Sequence, residues 1–191
     1  MKLTLYDTIA LRCSRVVTTG YSTSFSLGIR TLAVRHRPAI YAIYGFVRLA
    51  DEIVDTFFGH RQREMLDRFR LDTREAITEG VSPNPVLHSF QWAVNTYNID
   101  SEFIDAFLYS MEMDLEQRNH DRQSYSRYIY GSAEAVGLMC LRVFCHDDPV
   151  RFDSLREPAR LLGSAFQKVN FLRDMKSDYQ DRGRIYFPGV D

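Results

Sequence analysis

Two rows of polar side chains, far apart in the chain, have the spacing of a metal site. The first row is Asp51 and Asp55, which stand one helical turn apart. The second row recurs at steps of three and four residues and consists of Gln167, Asn170, Asp174 and Asp178. Residues at such steps share one face of an α-helix, where like charges repel one another. The rows therefore indicate a bound cation, and a solvated acidic face is the alternative.

The ligand types in the two rows favour Mg²⁺. Carboxylate and amide oxygens are hard ligands, and neither row contains a thiol or an imidazole. Mg²⁺ is commonly held by one or two carboxylates together with substrate phosphates, and Mn²⁺ accepts similar ligands. Arg48, Arg173 and Arg184 lie close to the rows in sequence, and guanidinium groups suit phosphates. The pattern predicts a site for Mg²⁺ or Mn²⁺ together with a diphosphate.

A di-iron carboxylate centre is the main alternative metal site. Such centres in helical bundles use Glu-x-x-His on two helices. The residues three positions before the five histidines are Ala33, Phe57, Pro85, Gln117 and Val143. None of them is Glu, so the sequence argues against di-iron. The chemistry that a metal–diphosphate site implies is ionisation of an allylic diphosphate, in which cations stabilise the leaving group and apolar walls keep water from the carbocation.

Helical periodicity positions both rows. The predicted helices are Leu3–Val17, Pro38–Phe58, Arg61–Glu79, one from Pro85, Ser101–Gln117, Tyr125–Phe144 and one from Pro158, with a short turn at Pro149. No stretch shows the alternation that is typical of a strand. The sequence therefore predicts an all-α fold of about eight helices, with the first row on the second helix and the second row on the last.

Local signals mark several boundaries. Asn84 predicts a capped helix start, Gly80 predicts a helix end, and Ser124 is expected to cap the helix that follows it. The hydroxyl-rich stretch 19–26 is expected to form a loop. Opposite charges at i,i+4 between residues 61 and 79 predict a solvated helix face.

The composition is that of an ordinary globular chain. Its 191 residues carry a net charge of −1, which gives no electrostatic sign of nucleic-acid binding. Three cysteines without a pattern predict reduced thiols and a cytoplasmic location. No uncharged apolar stretch is long enough to span a bilayer, so any membrane contact is expected to be peripheral, at the inner membrane face.

Four stretches resemble the squalene/phytoene synthase family. Residues 41–55, YAIYGFVRLADEIVD, resemble its first aspartate-rich motif, and residues 166–188, FQKVNFLRDMKSDYQDRGRIYFP, resemble its second. Residues 21–30, YSTSFSLGIR, and 128–137, YIYGSAEAVG, resemble its serine–phenylalanine motif and its small-residue helix. The four lie in the family's order and cover most of the chain. The RGRIYFP ending is most similar to bacterial phytoene synthases.

The resemblance implies an isoprenoid-synthase fold, which is a helical bundle around a central cavity, and a head-to-head condensation. Two prenyl diphosphates join through a cyclopropylcarbinyl diphosphate, and diphosphate is released. The first hypothesis is phytoene synthesis from two geranylgeranyl diphosphates, the first committed step of carotenoid biosynthesis, without NADPH. Squalene or dehydrosqualene synthesis from farnesyl diphosphate is one alternative, and a non-catalytic relative is another.

The resemblance also assigns residues to roles. Those implied to bind the metal–diphosphate clusters are Asp51, Asp55, Asn170, Asp174 and Asp178. Those implied to hold diphosphate oxygens are Arg48, Arg173, Arg184 and Tyr186. Those implied to face the reacting carbons are Tyr44 and Tyr128. Those implied to form a flap at the diphosphate end are Ser22, Ser24 and Phe25. Those implied to line the hydrocarbon pocket are Val136 and Gln167.

The chain departs from the family pattern in three respects. Ser132, Glu134 and Ala135 stand where the small-residue helix of the family more often reads Val-Ala-Gly. Tyr21, Thr23 and Ile29 replace the His, Lys and aromatic residues that some members carry, so flap contacts and pocket depth are expected to differ. Members usually continue through several more helices, so residues 1–191 are expected to form one prenyl synthase domain that is truncated after the second motif. A monomer or weak homodimer is expected, and its oily product is expected to leave towards a membrane.

Overall fold

The computed structural model describes residues 3–116 and 119–189, and that part of the chain contains nine α-helices and no strand. The helices are α1 (Leu5–Tyr21), α2 (Thr23–Thr31), α3 (Arg37–Asp55), α4 (Gln62–Glu79), α5 (Pro85–Tyr97), α6 (Ser101–Glu116), α7 (Arg122–Ile129), α8 (Ala135–Phe144) and α9 (Pro149–Ser177). Two π-helical turns, Tyr130–Glu134 and Asp178–Arg182, follow α7 and α9. The all-α prediction is confirmed. Gln117, where α6 was expected to end, lies outside the described residues.

The hydroxyl-rich stretch that was expected to form a loop is helical instead. Residues 19–21 complete α1, and α2 begins at Thr23. The hydroxyl oxygen of Ser22 accepts a hydrogen bond from the Phe25 amide at 3.2 Å, so this one residue caps the new helix. The prediction was wrong because hydroxyl side chains favour helix starts as well as turns.

The core forms around α3, where eleven of the nineteen residues are buried. Phe46 is fully buried, and its ring stacks on that of Phe90 with centroids 3.8 Å apart. Phe69 and Phe107 pack against it at 5.4 Å each. The predicted cap at Asn84 is confirmed, because its side-chain oxygen accepts from the amides of Val86 and Leu87. Helices α4, α5 and α6 thus fix α3 by apolar packing.

Helix α4 is more closely tied to its neighbours than its charge pattern predicted. Two of the i,i+4 pairs that the charge pattern implies, Arg63–Asp67 and Arg68–Asp72, are present at 3.4 and 2.7 Å. In addition, Arg70 reaches Glu112 of α6 at 2.8 Å. Helix α4 therefore has a buried apolar side, a polar interface with α6 and a charged side that faces solvent.

Small residues bring three helical segments close together. A Cβ on Gly131 would press against the carbonyl oxygen of Ala106 in α6. A Cβ on Gly163 of α9 would lie 3.0 Å from the carbonyl oxygen of Ala133. The helix predicted to run unbroken from a Ser124 cap is instead α7, a π-helical turn and α8, and Asp121 caps it by accepting from the Ser124 amide at 2.7 Å.

Helix α9 runs for 29 residues, although Pro158 was expected to begin it. It starts at Pro149, and the side chain of Asp148 caps it by accepting from the Arg151 amide at 2.9 Å. Pro158 lies on the exposed side, where water can bond the carbonyl that the missing N–H leaves unpaired.

The apolar stripe of α9 faces outward. Phe166, Val169 and Leu172 are 63%, 59% and 62% exposed. Only Phe152, Ser164 and Phe171 of this helix are buried. Within residues 3–116 and 119–189, no helix is long and apolar enough to cross a bilayer.

Candidate functional site

The two rows face one cavity of about 240 Å³. It lies between α3, α6, the segment around Tyr128 and the end of α9. Its polar lining consists of Arg48, Asp51, Asp55, Asp114, Tyr128, Ser132, Gln167, Asn170, Arg173, Asp174, Asp178 and Tyr186. Its apolar lining consists of Val47, Phe107, Met111 and Phe171. Two helices more than a hundred residues apart thus place their carboxylates across a shared space.

Asp51 is strongly affected by its surroundings. Burial raises the pKa of Asp51 to about 8, repulsion from the Asp55 carboxylate acts in the same direction, and the Arg48 guanidinium opposes both. Two carboxylates one helical turn apart in a partly buried wall disfavour double ionisation. A cation between them would relieve this repulsion, so the electrostatics of the first row suit a cation.

Arg184 connects the end of the chain to the first row. Its guanidinium donates to Asp55 Oδ1 at 2.6 Å and to the Val54 carbonyl at 3.2 Å. The residue is buried, and Gly183 before it adopts a left-handed conformation that turns the chain back towards α3. In this arrangement Arg184 contacts protein acceptors and orients Asp55.

Asp114 belongs to the cavity and was missed by the sequence analysis. The hydroxyls of Tyr128 and Tyr186 donate to its two carboxylate oxygens, both at 2.8 Å, and Arg184 lies 3.8 Å away. Burial raises the pKa of Asp114 to about 6, and Arg184 opposes this shift. One signal was available in the sequence: Asp114 follows Phe107 and Met111 on the apolar stripe of α6, where a carboxylate is out of place.

Arg48, which was expected to hold diphosphate oxygens, contacts protein groups on the wall of the cavity. Its guanidinium forms an ion pair with Glu52 and lies over the ring of Tyr21, 4.3 Å from the centroid. Its Nε is buried and has no hydrogen-bond partner among the described residues. Arg48 therefore lines the cavity with a guanidinium that is already paired with Glu52, and its Nε is buried without a partner in the described part of the chain.

Arg173 is engaged within its own helix. Its Nε and Nη2 donate to the two carboxylate oxygens of Asp174 at 2.8 and 2.6 Å. Asn170 donates to Gln167 at 3.4 Å. All four side chains line the cavity, so the second row carries a fixed cation beside its carboxylates.

The remaining predicted residues lie outside the cavity lining. Ser22 caps α2, and Ser24 is exposed. Phe25 stacks on Tyr44 with ring centroids 4.7 Å apart. Val136 lies half-buried against the core on α8.

The cavity's side chains fit a hard divalent cation that shares its ligands with a substrate. The polar lining offers carboxylate, amide and hydroxyl oxygens, without a thiol or an imidazole. Within the described part of the chain, no three Asp, Glu, His or Cys side chains are placed to hold a metal ion by themselves. Mg²⁺ fits this arrangement because it takes part of its shell from water and phosphate oxygens.

A second cavity of about 500 Å³ adjoins the first. Phe171, Arg173, Asp178 and Tyr186 line both. The walls of the second cavity also include Leu172, Met175, Ile185 and Phe187. A polar space and a more apolar one therefore meet at the end of α9.

Residues 18–191 match the family model described as squalene/phytoene synthase. The chain belongs to the squalene/phytoene synthase family. It is 35% identical over 175 residues to a presqualene diphosphate synthase of Sinorhizobium fredii, and this alignment covers 89% of this chain and 60% of the relative. It is 31% identical over 185 residues to a phytoene synthase of Arthrospira platensis, and that alignment covers 91% of this chain and 59% of the relative.

The fold of this squalene/phytoene synthase family member is also that of a solved relative. A crystal structure of a dehydrosqualene synthase in complex with a ligand superposes with a TM-score of 0.83 at 25% identity, over 95% of this chain and 62% of that one. The chain thus spans about 60% of the length of the relatives that it matches. The family and fold predictions are confirmed.

Proposed function

We propose that this protein takes part in the head-to-head condensation of two prenyl diphosphates. The proposal is carried by one observation: the two rows line the same cavity, on helices far apart in the chain. An oxygen-rich wall with nearby guanidinium groups suits a metal-bound diphosphate. The adjoining apolar cavity suits a hydrocarbon chain.

The reaction requires a carbon–oxygen bond to break and a carbon–carbon bond to form. The C1–O bond of one allylic diphosphate breaks, and its electron pair leaves with the diphosphate. The double bond of the second substrate then attacks the allylic cation, and loss of a proton closes the cyclopropane ring. Phe107, Met111 and Phe171 exclude water from the cation at the cavity wall.

Charged residues of the chain would bind and orient the diphosphate. Arg48, whose side chain lines the cavity, would contact a phosphate oxygen through its guanidinium, and Arg173 keeps Asp174 in position. Arg184 orients Asp55 rather than the substrate. Mg²⁺ or Mn²⁺, when bound by the first and second rows, supplies the positive charge that stabilises the leaving diphosphate.

The substrate that we favour is geranylgeranyl diphosphate, with phytoene as the product. The RGRIYFP ending and the similarity to a phytoene synthase support it. A farnesyl-derived product is the competing assignment, and the similarity to a presqualene diphosphate synthase favours it. Product mass after incubation with each diphosphate, with and without NADPH, separates them, since a C30 product would exclude phytoene synthesis.

The catalytic proposal is tested with Asp51→Asn and Asp174→Asn variants. Each is expected to lower Mg²⁺-dependent diphosphate release by at least about 100-fold, with helical circular dichroism unchanged. Asp153→Asn is the matched control, because Asp153 lies on α9 but is exposed and outside the cavity. Unchanged turnover in both cavity variants would contradict the metal assignment.

A binding measurement separates catalysis from binding alone. Calorimetric titration with inorganic diphosphate should show binding that requires Mg²⁺ and is lost in Asp51→Asn. Binding without turnover would identify a non-catalytic relative of the family. Absence of both would remove the proposal.

A further inference from the structure

A cleft that is distinct from both cavities described above lies at the other end of α3, away from the two rows. It has a volume of about 340 Å³ and is lined by Leu3, Thr8, Leu11, Arg12, Arg15, Arg30, Val34, Arg37, Pro38 and Tyr41. Arg37 and Asp51 are fourteen residues apart on one straight helix, which places the two ends roughly 20 Å apart at 1.5 Å per residue. The cleft thus combines four guanidinium groups with the apolar side chains of Leu3, Leu11 and Val34, and the cavity of the two rows does not account for this cluster of charge.

Among residues 3–116 and 119–189, no carboxylate forms an ion pair with the arginines of this cleft. No Asp or Glu occurs between residues 8 and 50, although the whole chain has a net charge of −1. No ion pair within the described residues involves Arg12, Arg15 or Arg30. By contrast, Arg63, Arg68, Arg70 and Arg74 of α4 all have carboxylate partners. The cleft therefore has a local positive charge that an external anion would neutralise.

One arginine is used to shape the cleft. Arg37 donates from Nε to the Leu32 carbonyl at 2.9 Å and from Nη2 to the Arg30 carbonyl at 2.7 Å. These bonds join the end of α2 to the start of α3 and set the position of Arg30. Arg15 lies over the ring of Tyr41, 5.9 Å from its centroid. The basic groups thus have defined places on three helices.

The exposed surface beside the cleft is apolar. Thr8, Leu11, Arg12 and Arg15 of α1 line the cleft, and the neighbouring face of the same helix carries Leu5, Ile9 and Val16 at helical spacing. Leu5 and Val16 are 79% and 68% exposed, and Val34 across the cleft is 72% exposed. A free phosphate in water would make no use of these side chains, whereas a lipid surface would bury them.

We propose that this face, made of the arginine-lined cleft and the exposed apolar residues of α1 and residue 34, binds the headgroups of an anionic phospholipid membrane. The arginines contact lipid phosphates, and Leu5, Val16 and Val34 enter the interfacial region. The site is separate from the cavity of the two rows and does not depend on the reaction proposed for that cavity.

The test is co-sedimentation of the purified chain with vesicles of phosphatidylcholine, with and without phosphatidylglycerol. Binding is expected only with phosphatidylglycerol and is expected to weaken as salt is added. Arg12→Gln with Arg15→Gln should weaken it by roughly 25-fold, at roughly 5-fold for each arginine near a charged membrane. Leu5→Gln with Val16→Gln should also weaken it, at unchanged net charge.

The matched control is Arg61→Gln with Arg68→Gln, which removes the same charge from exposed positions of the α4 region. It should retain most of the binding, and circular dichroism should show all variants folded. Equal loss in both charge variants, or no preference for phosphatidylglycerol, would overturn the proposal. So would binding of soluble diphosphate that depends on Arg12 and Arg15 without any binding to vesicles.

Discussion

Helices α3 and α9 carry the two rows of the cavity, yet the protein holds them in different ways. Eleven of nineteen residues are buried in α3, against three of twenty-nine in α9. The aromatic stack around Phe46 fixes α3. By contrast, α9 is attached through close backbone contacts such as Gly163 and leaves its apolar stripe exposed. One wall of the cavity therefore lies on a helix enclosed by the core, and the opposite wall lies on a helix that packs on one side and is exposed on the other.

The largest expected effect is a difference in stability between two phenylalanine-to-alanine substitutions, one on α3 and one on α9. Phe46→Ala should lower the free energy of unfolding by about 3–5 kcal/mol, because it opens a cavity in a filled aromatic cluster. Phe166→Ala on α9 should change it by less than about 0.5 kcal/mol, since that ring is 63% exposed. Urea denaturation measures both, and equal effects would remove the contrast.

A smaller loss of stability is expected at Asp114 of α6, which lies in the cavity between α3 and α9. Asp114→Ala should lower the free energy of unfolding by about 2–3 kcal/mol, because the buried hydroxyls of Tyr128 and Tyr186 lose their acceptor. Asp114→Asn keeps one acceptor oxygen and is expected to cost roughly half as much. Thermal unfolding measures both variants. If Ala costs no more than Asn, the hydrogen bonds of Asp114 do not hold this wall.

The attachment of α9 is tested at its closest backbone contact. Gly163→Val should destabilise the protein by about 1–3 kcal/mol, because a side chain there presses on the carbonyl of Ala133. Gly28→Val in α2 is the control, since nothing lies within 4 Å of a Cβ at that position. Hydrogen exchange should show the loss of protection in α9 first. Loss spread evenly over all helices would contradict separate attachment.

The smallest expected effect is a pH-dependent contribution to stability from Asp7, which lies outside both walls of the cavity. Asp7 accepts from His88 at 2.7 Å and from the Thr4 amide at 2.6 Å, and these bonds lower the pKa of Asp7 from 3.8 to about 2. A lowered carboxyl pKa stabilises the fold above pH 4, and this contribution is lost as the pH falls towards 2. Its size is on the order of 1 kcal/mol after screening by solvent.

An Asp7→Asn variant tests this contribution. Its unfolding free energy should be lower than that of the wild type at neutral pH and should converge with it near pH 2. The expected sign follows because the folded state binds the Asp7 proton more weakly than the unfolded state does. A difference that persists unchanged at pH 2 would show that the effect is not electrostatic.

Sequence patterns predicted the elements whose determinants are local. The helical class, the cap at Asn84 and the end at Gly80 depend on residues within one turn of each other. The same holds for the two rows, because i,i+4 spacing alone puts their members on one face. The i,i+4 spacing does not show that the two rows line one cavity. That prediction also required the assumption that both rows point towards the same space inside the bundle.

Features set by distant contacts were missed. Asp114 is a cavity residue because of Tyr128, Tyr186 and Arg184, the last of them seventy residues away. The exposure of Phe166 depends on which parts of the chain pack against α9, and the apolar periodicity of α9 carries no information about them. The continuous helix through Pro158 depends on that residue lying on the solvent side. In each case, tertiary context overrode a local rule.

The bond between Arg184 and Asp55 spans 129 residues of chain. During synthesis, α1 to α6 leave the ribosome and can pack around Phe46 while this guanidinium has not yet been made. Asp55 and Asp114 then lie in a forming core without the Arg184 guanidinium beside them. Because contacts between distant residues form late, this wall of the cavity assembles after the scaffold of α1 to α6, and a nascent chain stalled before Gly183 would hold that scaffold without the bond between Arg184 and Asp55.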